Sequence, residues 1–281
     1  MRNLNGLLFG VLAMLLLSAC AGLGQESLLI PEETEIELGA EYHLQILEEM
    51  PELVGDPAIK AYVNGMGQYI ASITDRANLT WHFTVLDAEE INAFAVPGGY
   101  LYVTVGLLRA ASSGAEIAGV IAHEIGHVTA RHGVQSMETY VFAEGISDLL
   151  GDEDLGPLVA GAIQAGAGLT FSQDQELEAD SLGVGYAIDA GYNPWGIVHF
   201  FETLQELEGT PRGGEDDVLS FLDDLGELFS THPPTDERIA NVKVLIAKEG
   251  VAESDGSLAW ETDTDLVTIQ LLLPEPVARI E

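Results

Sequence analysis

The sequence has almost no cysteine and few basic residues. It contains one cysteine, Cys20, and 10 lysines and arginines against 46 aspartates and glutamates. A single cysteine cannot form a disulfide within its own chain. The formal net charge of −36 argues against nucleic-acid binding as the main function, because nucleic acids are bound largely through positive charge on the protein. The same charge argues against electrostatic docking on anionic lipid.

Long hydrophobic runs are also lacking, except for one near the N-terminus. The run from Leu7 to Leu17 follows a basic residue, Arg2, and is too short to span a bilayer comfortably, which predicts a signal peptide at residues 1–19. It ends in Leu-Ser-Ala-Cys, which is similar to a bacterial lipobox and predicts acylation of Cys20 and a lipid anchor. The alternative is an ordinary signal peptide with an incidental cysteine. By resemblance to lipoprotein sorting in Gram-negative bacteria, Ala21 at the next position favours the outer membrane.

The pattern of apolar residues predicts an α+β domain that is mostly helical, with a small sheet or hairpin. We expect a linker at 20–33, the domain at 34–250, and a β-like extension at 251–281 with strand structure from Leu266 to Leu273. No 34-residue helical repeats are present. The predicted strands are Trp81–Leu86, Ile91–Val96 and Tyr100–Val105, with a turn at Gly98-Gly99. The predicted helices are 34–49, 56–74, 113–132, 134–150, 158–168, 172–190, 193–208, 221–229 and 235–248, with loops at 151–157 and 209–217.

The most informative stretch is His-Glu-Ile-Gly-His at residues 123–127. On a helix, positions i and i+4 lie on one face, so His123 and His127 can bind one metal ion. Glu124 would stand beside that ion, where its carboxylate can take a proton from water. This spacing is typical of zinc peptidases.

The alternative interpretation is two surface histidines on an ordinary helix. The flanking residues are apolar, however, and a buried pair of histidines with a glutamate needs partners that a metal would supply. Ser113 and Glu116 form a capping box that predicts where the helix begins. Gly126, between the two histidines, allows another element to approach the helix closely.

A catalytic zinc site needs a third protein ligand. Glu176 and Asp180 are four residues apart on a predicted helix, so they share a face, whereas Glu178 points elsewhere. Glu176 is the candidate ligand, and Asp180 would accept the second ring N–H of a ligand histidine. In so acidic a chain, the open alternative is a solvated acidic helix face.

Four stretches together resemble the zinc metallopeptidases of family M48. They are Asn92 to Gly99 with Tyr100, residues 123–127, Glu176 to Asp180, and Ser230 to Pro234 with Arg238, in the order of that family. The resemblance covers roughly residues 40–245.

The resemblance implies a zincin-like fold and a role for each matched residue. It makes Glu176 the third zinc ligand beside His123 and His127, and it implies that Glu124 is the general base. It brings His232 near the metal, where it either stabilises the oxyanion or blocks the open zinc position, with support from Arg238.

Strand residues Asn92, Ala93, Phe94 and Ala95 would hold an extended substrate at a sheet edge, and the alternative is a plain structural strand. Because the sequence lacks the transmembrane helices and helical repeats of larger members, it resembles the compact lipoprotein members.

The resulting hypothesis is a zinc-dependent endopeptidase that degrades misfolded or unassembled exported proteins in the bacterial cell envelope. Its expected partners are unfolded polypeptides and, through Cys20, the periplasmic face of the outer membrane, with no nucleic acid. One alternative is a latent or non-proteolytic chaperone or assembly factor that uses the same groove. Another is a structural metal site closed permanently by His232.

Overall fold

The computed structural model of the chain describes residues 30–143, 170–209, 232–233, 235–254, 256–259 and 264–275. Some of the features predicted from the sequence lie outside the described residues. They are the signal peptide, Cys20, the helices at 158–168 and 221–229, the loops at 151–157 and 209–217, and the end of the 134–150 helix.

Helices make up most of the described chain and surround one small sheet, which confirms the α+β prediction. None of the described helices is both long and apolar enough to cross a membrane. The strands described are β1 (His82–Leu86), β2 (Ala93–Val96) and β3 (Tyr100–Thr104). The helices described are α1 (Glu32–Glu49), α2 (Pro57–Ala71), α3 (Val105–Ala110), α4 (Gly114–Thr129), α5 (His132–Ala143), α6 (Gln173–Asp189), α7 (Trp195–Gly209), α8 (Asp236–Lys248) and α9 (Thr264–Leu272).

The central strand of the sheet is β3, which pairs parallel with β1 and antiparallel with β2. The predicted turn between β2 and β3 is confirmed, with φ of +83° at Gly98 and +93° at Gly99. Glycine adopts this left-handed region without the steric cost that other residues meet. Within the described chain β2 is an edge strand, and it contacts α4, so a free backbone edge lies beside the HExxH helix.

Two apolar clusters cover the two faces of the sheet. Leu101 and Val103 of β3 belong to the larger cluster, which also holds residues of α2, α4 and α7. Tyr102, between them, belongs to the smaller cluster, which α1 covers with Leu38 and Tyr42. This alternation is the two-residue period of a strand that is buried on both faces.

Helix α4 is buried along its length, from Gly114 to Val128. It begins at the N-cap Ser113, whose hydroxyl accepts a hydrogen bond from the backbone N–H of Glu116. The Glu116 carboxylate accepts in turn from the backbone N–H of Ser112 at 2.9 Å, so the predicted cap is present with its second half shifted by one residue. Because no face of α4 reaches solvent, its polar side chains need partners inside the protein.

Two glycines allow α4 and α6 to approach each other closely. A Cβ atom on Gly126 would lie 3.0 Å from the carbonyl oxygen of Ala179, and one on Gly183 would lie 3.0 Å from the Cα atom of His123. The close approach predicted at Gly126 is therefore confirmed. It brings the acidic first turns of α6 against the histidines of α4.

The predicted strand structure from Leu266 to Leu273 is wrong, because this segment forms helix α9. Leu266 and Ile269 are buried in the main core, and Leu273 packs against it. Gln270 donates hydrogen bonds to the carbonyls of Leu108 and Ala111. The spacing of these contacts is three, four and seven residues, the helical period, and packing on this face outweighs the strand preference of the apolar run.

Candidate metal and catalytic site

Four predicted site residues meet in one buried cluster. His123 and His127 come from α4, Glu176 from the first turn of α6, and His232 from the short segment before α8. One nitrogen or oxygen atom of each residue lies within 4.8 Å of the others, and no side chain of the four is more than 5% exposed. The structure therefore joins residues that are more than 100 positions apart.

Distances within the cluster suit donors to one metal ion. The Nε2 atoms of His123 and His127 are 3.1 Å apart. The two carboxylate oxygens of Glu176 each lie 3.5 Å from one of these nitrogens. Ligands about 2.0–2.2 Å from a tetrahedral zinc ion stand roughly 3.3 Å from one another, so the donor set fits the predicted three ligands.

Glu124 supplies a second observation that fits a metal centre. Its side chain is buried, and its Oε2 atom has no hydrogen-bond partner within the described part of the chain. Its Oε1 atom lies 3.6 Å from Nε2 of His232. A buried carboxylate oxygen without a partner is costly, and a polar ligand between Glu124 and the histidines would remove that cost.

The electrostatics of the cluster favour a protonated His123 and an ionised Glu176. Burial lowers the pKa of His123, but the carboxylates of Asp180 and Glu176 outweigh this effect and raise its pKa to about 9. Burial, with the neighbouring His123 and His232, lowers the pKa of His127 well below its ordinary value. Burial opposes ionisation of Glu176, yet the two nearest imidazoles lower its pKa, so this carboxylate is ionised. A cation that binds here displaces the His123 proton.

Asp180 lies where the sequence predicted an acceptor for a ligand histidine. Its Oδ1 atom is 3.0 Å from Nδ1 of His123, on the side of the ring opposite the cluster. Arg238 holds the same carboxylate with Nη2 and Nε at 2.6 and 3.0 Å. Burial raises the pKa of Asp180, but contact with His123 and Arg238 outweighs it and lowers the pKa, which keeps Asp180 ionised.

Arg238 contacts several residues of the cluster and is itself buried. Besides Asp180, its Nη1 atom is 2.8 Å from Oε2 of Glu176 and donates to the carbonyl of Pro233 at 3.2 Å. The guanidinium also packs over the ring of Phe201. These contacts make Arg238 a positioning residue for Glu176, Asp180 and the segment that carries His232.

His232 stands in the cluster as a fourth donor. Its Nδ1 atom lies 2.8 Å from Oε1 of Glu176, and its ring meets those of His123 and His127 edge-on at 5.3 and 4.9 Å between centroids. This position confirms neither of the two roles that the resemblance implied, stabilising the oxyanion or blocking the open metal position. The role itself stays a prediction.

The predicted substrate strand is present, but its side chains are buried in the core. Ala93 and Ala95 belong to the main core, and Phe94 stacks on Tyr102 in the smaller cluster on the α1 side. Asn92 is also buried, and its Oδ1 atom has no hydrogen-bond partner among the described residues. Any contact of β2 with a substrate would therefore be made by its backbone edge.

Two further residues, neither of them predicted from the sequence, contact the cluster. His132 is fully buried, with its Nδ1 atom 3.0 Å from Nδ1 of His127, and Phe171 stacks on the His127 ring at 3.9 Å between centroids. A further histidine soon after the motif was the available signal for His132. Phe171 precedes the N-cap of α6 and gave no signal.

A cleft opens beside His127 between the end of β2 and the start of α5. Its volume is about 220 Å³ when the open solvent at its mouth is counted. Apolar residues form most of its wall, and one ion pair also lines it. The apolar lining includes Ala95, Val96, Pro97, Val134 and Phe171, and the ion pair is Glu35 with Arg131.

Comparison with known proteins identifies the class of this site. The sequence model of Peptidase family M48 matches residues 57–246, which is more than half of the chain and includes the whole cluster. The chain belongs to peptidase family M48. It therefore carries a metallopeptidase domain, and the family resemblance is confirmed.

Several curated relatives of this M48 domain are peptidases. The chain is 29% identical over 223 residues to the beta-barrel assembly-enhancing protease of Escherichia coli K12, covering 74% of this chain and 43% of that protein. It is 31% identical over 183 residues to the mitochondrial metalloendopeptidase OMA1 of Arabidopsis thaliana, covering 65% and 34%. It is 30% identical over 176 residues to the metalloprotease YcaL of E. coli K12, covering 59% and 62%. The chain spans less than two thirds of each relative.

Proposed function

We propose that this protein is a zinc-dependent endopeptidase of the bacterial cell envelope that cuts misfolded or unassembled polypeptides. The observation that carries the proposal is the position of Glu124, a buried carboxylate with one unpartnered oxygen beside the candidate ligands His123, His127 and Glu176. A structural metal site does not require a free carboxylate beside the ligands, whereas peptide hydrolysis needs a base at this position.

The three ligands would hold zinc, which supplies Lewis acidity that polarises a carbonyl and makes water more acidic. Burial raises the pKa of Glu124, so this carboxylate is a stronger base than an exposed glutamate. Glu124 takes a proton from water as the water attacks the peptide carbonyl, and then passes it to the leaving amine. Asp180 and Arg238 hold His123 and Glu176 in place during these steps.

His232 controls access in this proposal. As a fourth donor it would compete with a substrate carbonyl for the metal, so we assign the arrangement with His232 in the cluster to a resting form. Cleavage then requires His232 to leave the cluster. Among the described residues, Arg238 donates to the carbonyl of Pro233 and Glu176 contacts the imidazole, so these are contacts that such a movement would break.

The proposed substrate is an extended polypeptide segment. The free edge of β2 offers backbone hydrogen bonds to such a segment, and strand addition reads backbone more than side chains. The cleft beside His127 is lined mostly by apolar residues, which would favour an apolar residue of the substrate near the site. Both features suit a peptidase that cuts unfolded polypeptides with little sequence preference.

The proposed location is the periplasmic face of the outer membrane, with Cys20 as the lipid-anchored residue. The lipobox-like residues at the N-terminus support this location, as does the similarity to a protein named beta-barrel assembly-enhancing protease. The negative charge of the chain supports polypeptides, and not nucleic acids, as partners.

A second function, a latent or non-proteolytic chaperone that uses the same groove, is favoured by the fourth donor at His232. Two assays on zinc-loaded protein separate the two functions: cleavage of casein, and suppression of aggregation of a heat-denatured client. The peptidase proposal predicts casein cleavage that Glu124→Gln abolishes. Suppression of aggregation by both proteins with cleavage by neither would favour the chaperone. For a peptidase, Glu124→Gln as bait in envelope extracts should retain intact substrates.

A further inference from the structure

We propose that His132 is a positioning residue for the metal ligand His127 and that it links this ligand, through Glu178, to the protein surface. The proposal rests on the metal site of the proposed function. It adds an imidazole that neither the family resemblance nor the M48 motif assigns.

The three side chains form a continuous row. Nδ1 of His127 lies 3.0 Å from Nδ1 of His132, and Nε2 of His132 lies 3.3 Å from Oε2 of Glu178. The His132 side chain is 0% exposed, whereas that of Glu178 is 45% exposed. The row therefore runs from the centre of the site to solvent.

Metal binding fixes the direction of each hydrogen bond in the row. Nε2 of His127 faces the cluster, so the ring proton of a metal-bound His127 must be on Nδ1. Its neighbour at 3.0 Å, Nδ1 of His132, must then accept, which leaves the His132 proton on Nε2. That N–H donates to Glu178, whose carboxylate only accepts. In this arrangement every hydrogen-bond donor in the row faces an acceptor.

Burial shows why His132 needs this arrangement. An imidazole with no exposed surface requires partners for both ring nitrogens, and His127 and Glu178 supply them. Phe171 packs against the rings of both His127 and His132, so neither ring is free to turn.

The backbone is bent to bring His132 to this position. Arg131, between α4 and α5, has a φ of +58°. Every other residue with positive φ in the described chain is a glycine. This conformation costs roughly 1–2 kcal/mol. The Arg131 side chain offsets the cost through an ion pair with Glu35 and a hydrogen bond to the carbonyl of Ile30. The reversal starts α5 at His132 and turns its ring back towards α4.

The two metal-binding histidines then have different supports. Asp180, an ionised carboxylate, faces Nδ1 of His123, whereas a neutral imidazole faces Nδ1 of His127. A neutral acceptor such as His132 orients His127 and adds little negative charge next to the metal site. The main effect of His132 is therefore on the orientation of His127, and the loss of its acceptor atom should weaken metal binding.

The test measures zinc affinity by competition with a chromophoric chelator. His132→Leu removes the acceptor and should weaken binding about 10–100-fold, the usual effect of losing such a support. His132→Asn keeps an oxygen acceptor close to the position of Nδ1 and should stay within about threefold of wild type. His199→Asn is the matched control, because His199 also pairs with a glutamate, Glu253, but lies apart from the cluster. Glu178→Gln, at the solvent end, should change affinity less than His132→Leu.

The result that would overturn the proposal is a folded His132→Leu with wild-type zinc affinity, or His132→Asn as weak as His132→Leu. A wild-type chain that binds no zinc would overturn both this proposal and the proposed function. Tight zinc binding that is unaffected in His132→Leu would overturn this proposal alone. If His132→Leu does not fold, ¹⁵N spectra of the zinc-loaded wild type decide: a proton on Nε2 of His132 supports the row, and a proton on Nδ1 refutes it.

Discussion

Removal of the buried charge of Arg238 is expected to destabilise this protein strongly. The Arg238 side chain is 2% exposed and contacts Asp180 at 2.6 Å and Glu176 at 2.8 Å. Arg238→Met leaves two buried carboxylates without the cation that they share. Breaking one buried pair in this way typically costs about 3–5 kcal/mol of unfolding free energy. We expect a loss in this range for the metal-free protein.

Urea unfolding of the metal-free protein, with chelator present, measures this loss. The matched control is Lys243→Met, because Lys243 is on the same helix and pairs with Glu202 of α7, but both side chains are at least 40% exposed. An exposed pair of this kind contributes about 0–1 kcal/mol.

A double variant tests whether the loss comes from the stranded carboxylate. Arg238→Met combined with Asp180→Asn should be more stable than Arg238→Met alone, because one of the two carboxylates that lost the guanidinium is then neutral. A loss below about 1 kcal/mol for Arg238→Met would refute the reasoning, since that is the value of a surface pair. A double variant less stable than the single variant would show that the cost comes from lost packing.

Three other predictions concern the cluster and its support. Because the pKa of His123 is raised to about 9, its proton is bound at pH 7, and zinc affinity should rise with pH up to about 9. Calorimetry in buffers of different ionisation enthalpy should then find about one proton released per zinc ion at pH 7, and no release would contradict the assignment. His232→Ala should raise casein cleavage about tenfold, equivalent to removing a competing donor worth about 1.4 kcal/mol; slower cleavage would favour the oxyanion role instead. Glu35→Leu leaves the buried Arg76 and the partly buried Arg131 without their shared carboxylate and should lower the unfolding free energy by about 3–5 kcal/mol in urea titrations, whereas an effect like that of an exposed pair would contradict this view.

Local spacing made half of the site predictable. His123, Glu124 and His127 lie within five residues, so helix geometry alone brings the two imidazoles to one face. The sheet, its turn at Gly98-Gly99 and the HExxH helix were also predictable, because two-residue alternation, positive-φ glycines and a helix cap are local signals.

The other half depends on packing that the sequence does not encode locally. Glu176 reaches the histidines only because α4 and α6 approach at Gly126 and Gly183. From spacing alone it was one of several acidic residues, and the family resemblance was needed to select it. His232 belongs to a short segment before α8, and its position depends on Arg238.

The errors have physical causes as well. The segment from Leu266 to Leu273 is short and mostly apolar, so strand and helix patterns are hard to distinguish in it, and its contacts with the core favour the helix. His132 was missed because its position depends on a backbone reversal at Arg131, and a non-glycine residue with positive φ has no clear sequence signal.

The most direct test of the central claim compares wild type with Glu124→Gln in zinc content and in casein cleavage. We expect one zinc per chain in both proteins, because Glu124 is not a ligand. We expect cleavage in wild type and a rate lower by about 10²–10⁴-fold in Glu124→Gln, the usual contribution of a general base. Glu37→Gln, on an exposed face of α1, is the control and should behave as wild type. Equal cleavage by wild type and Glu124→Gln, or no cleavage by fully zinc-loaded His232→Ala, would contradict the account.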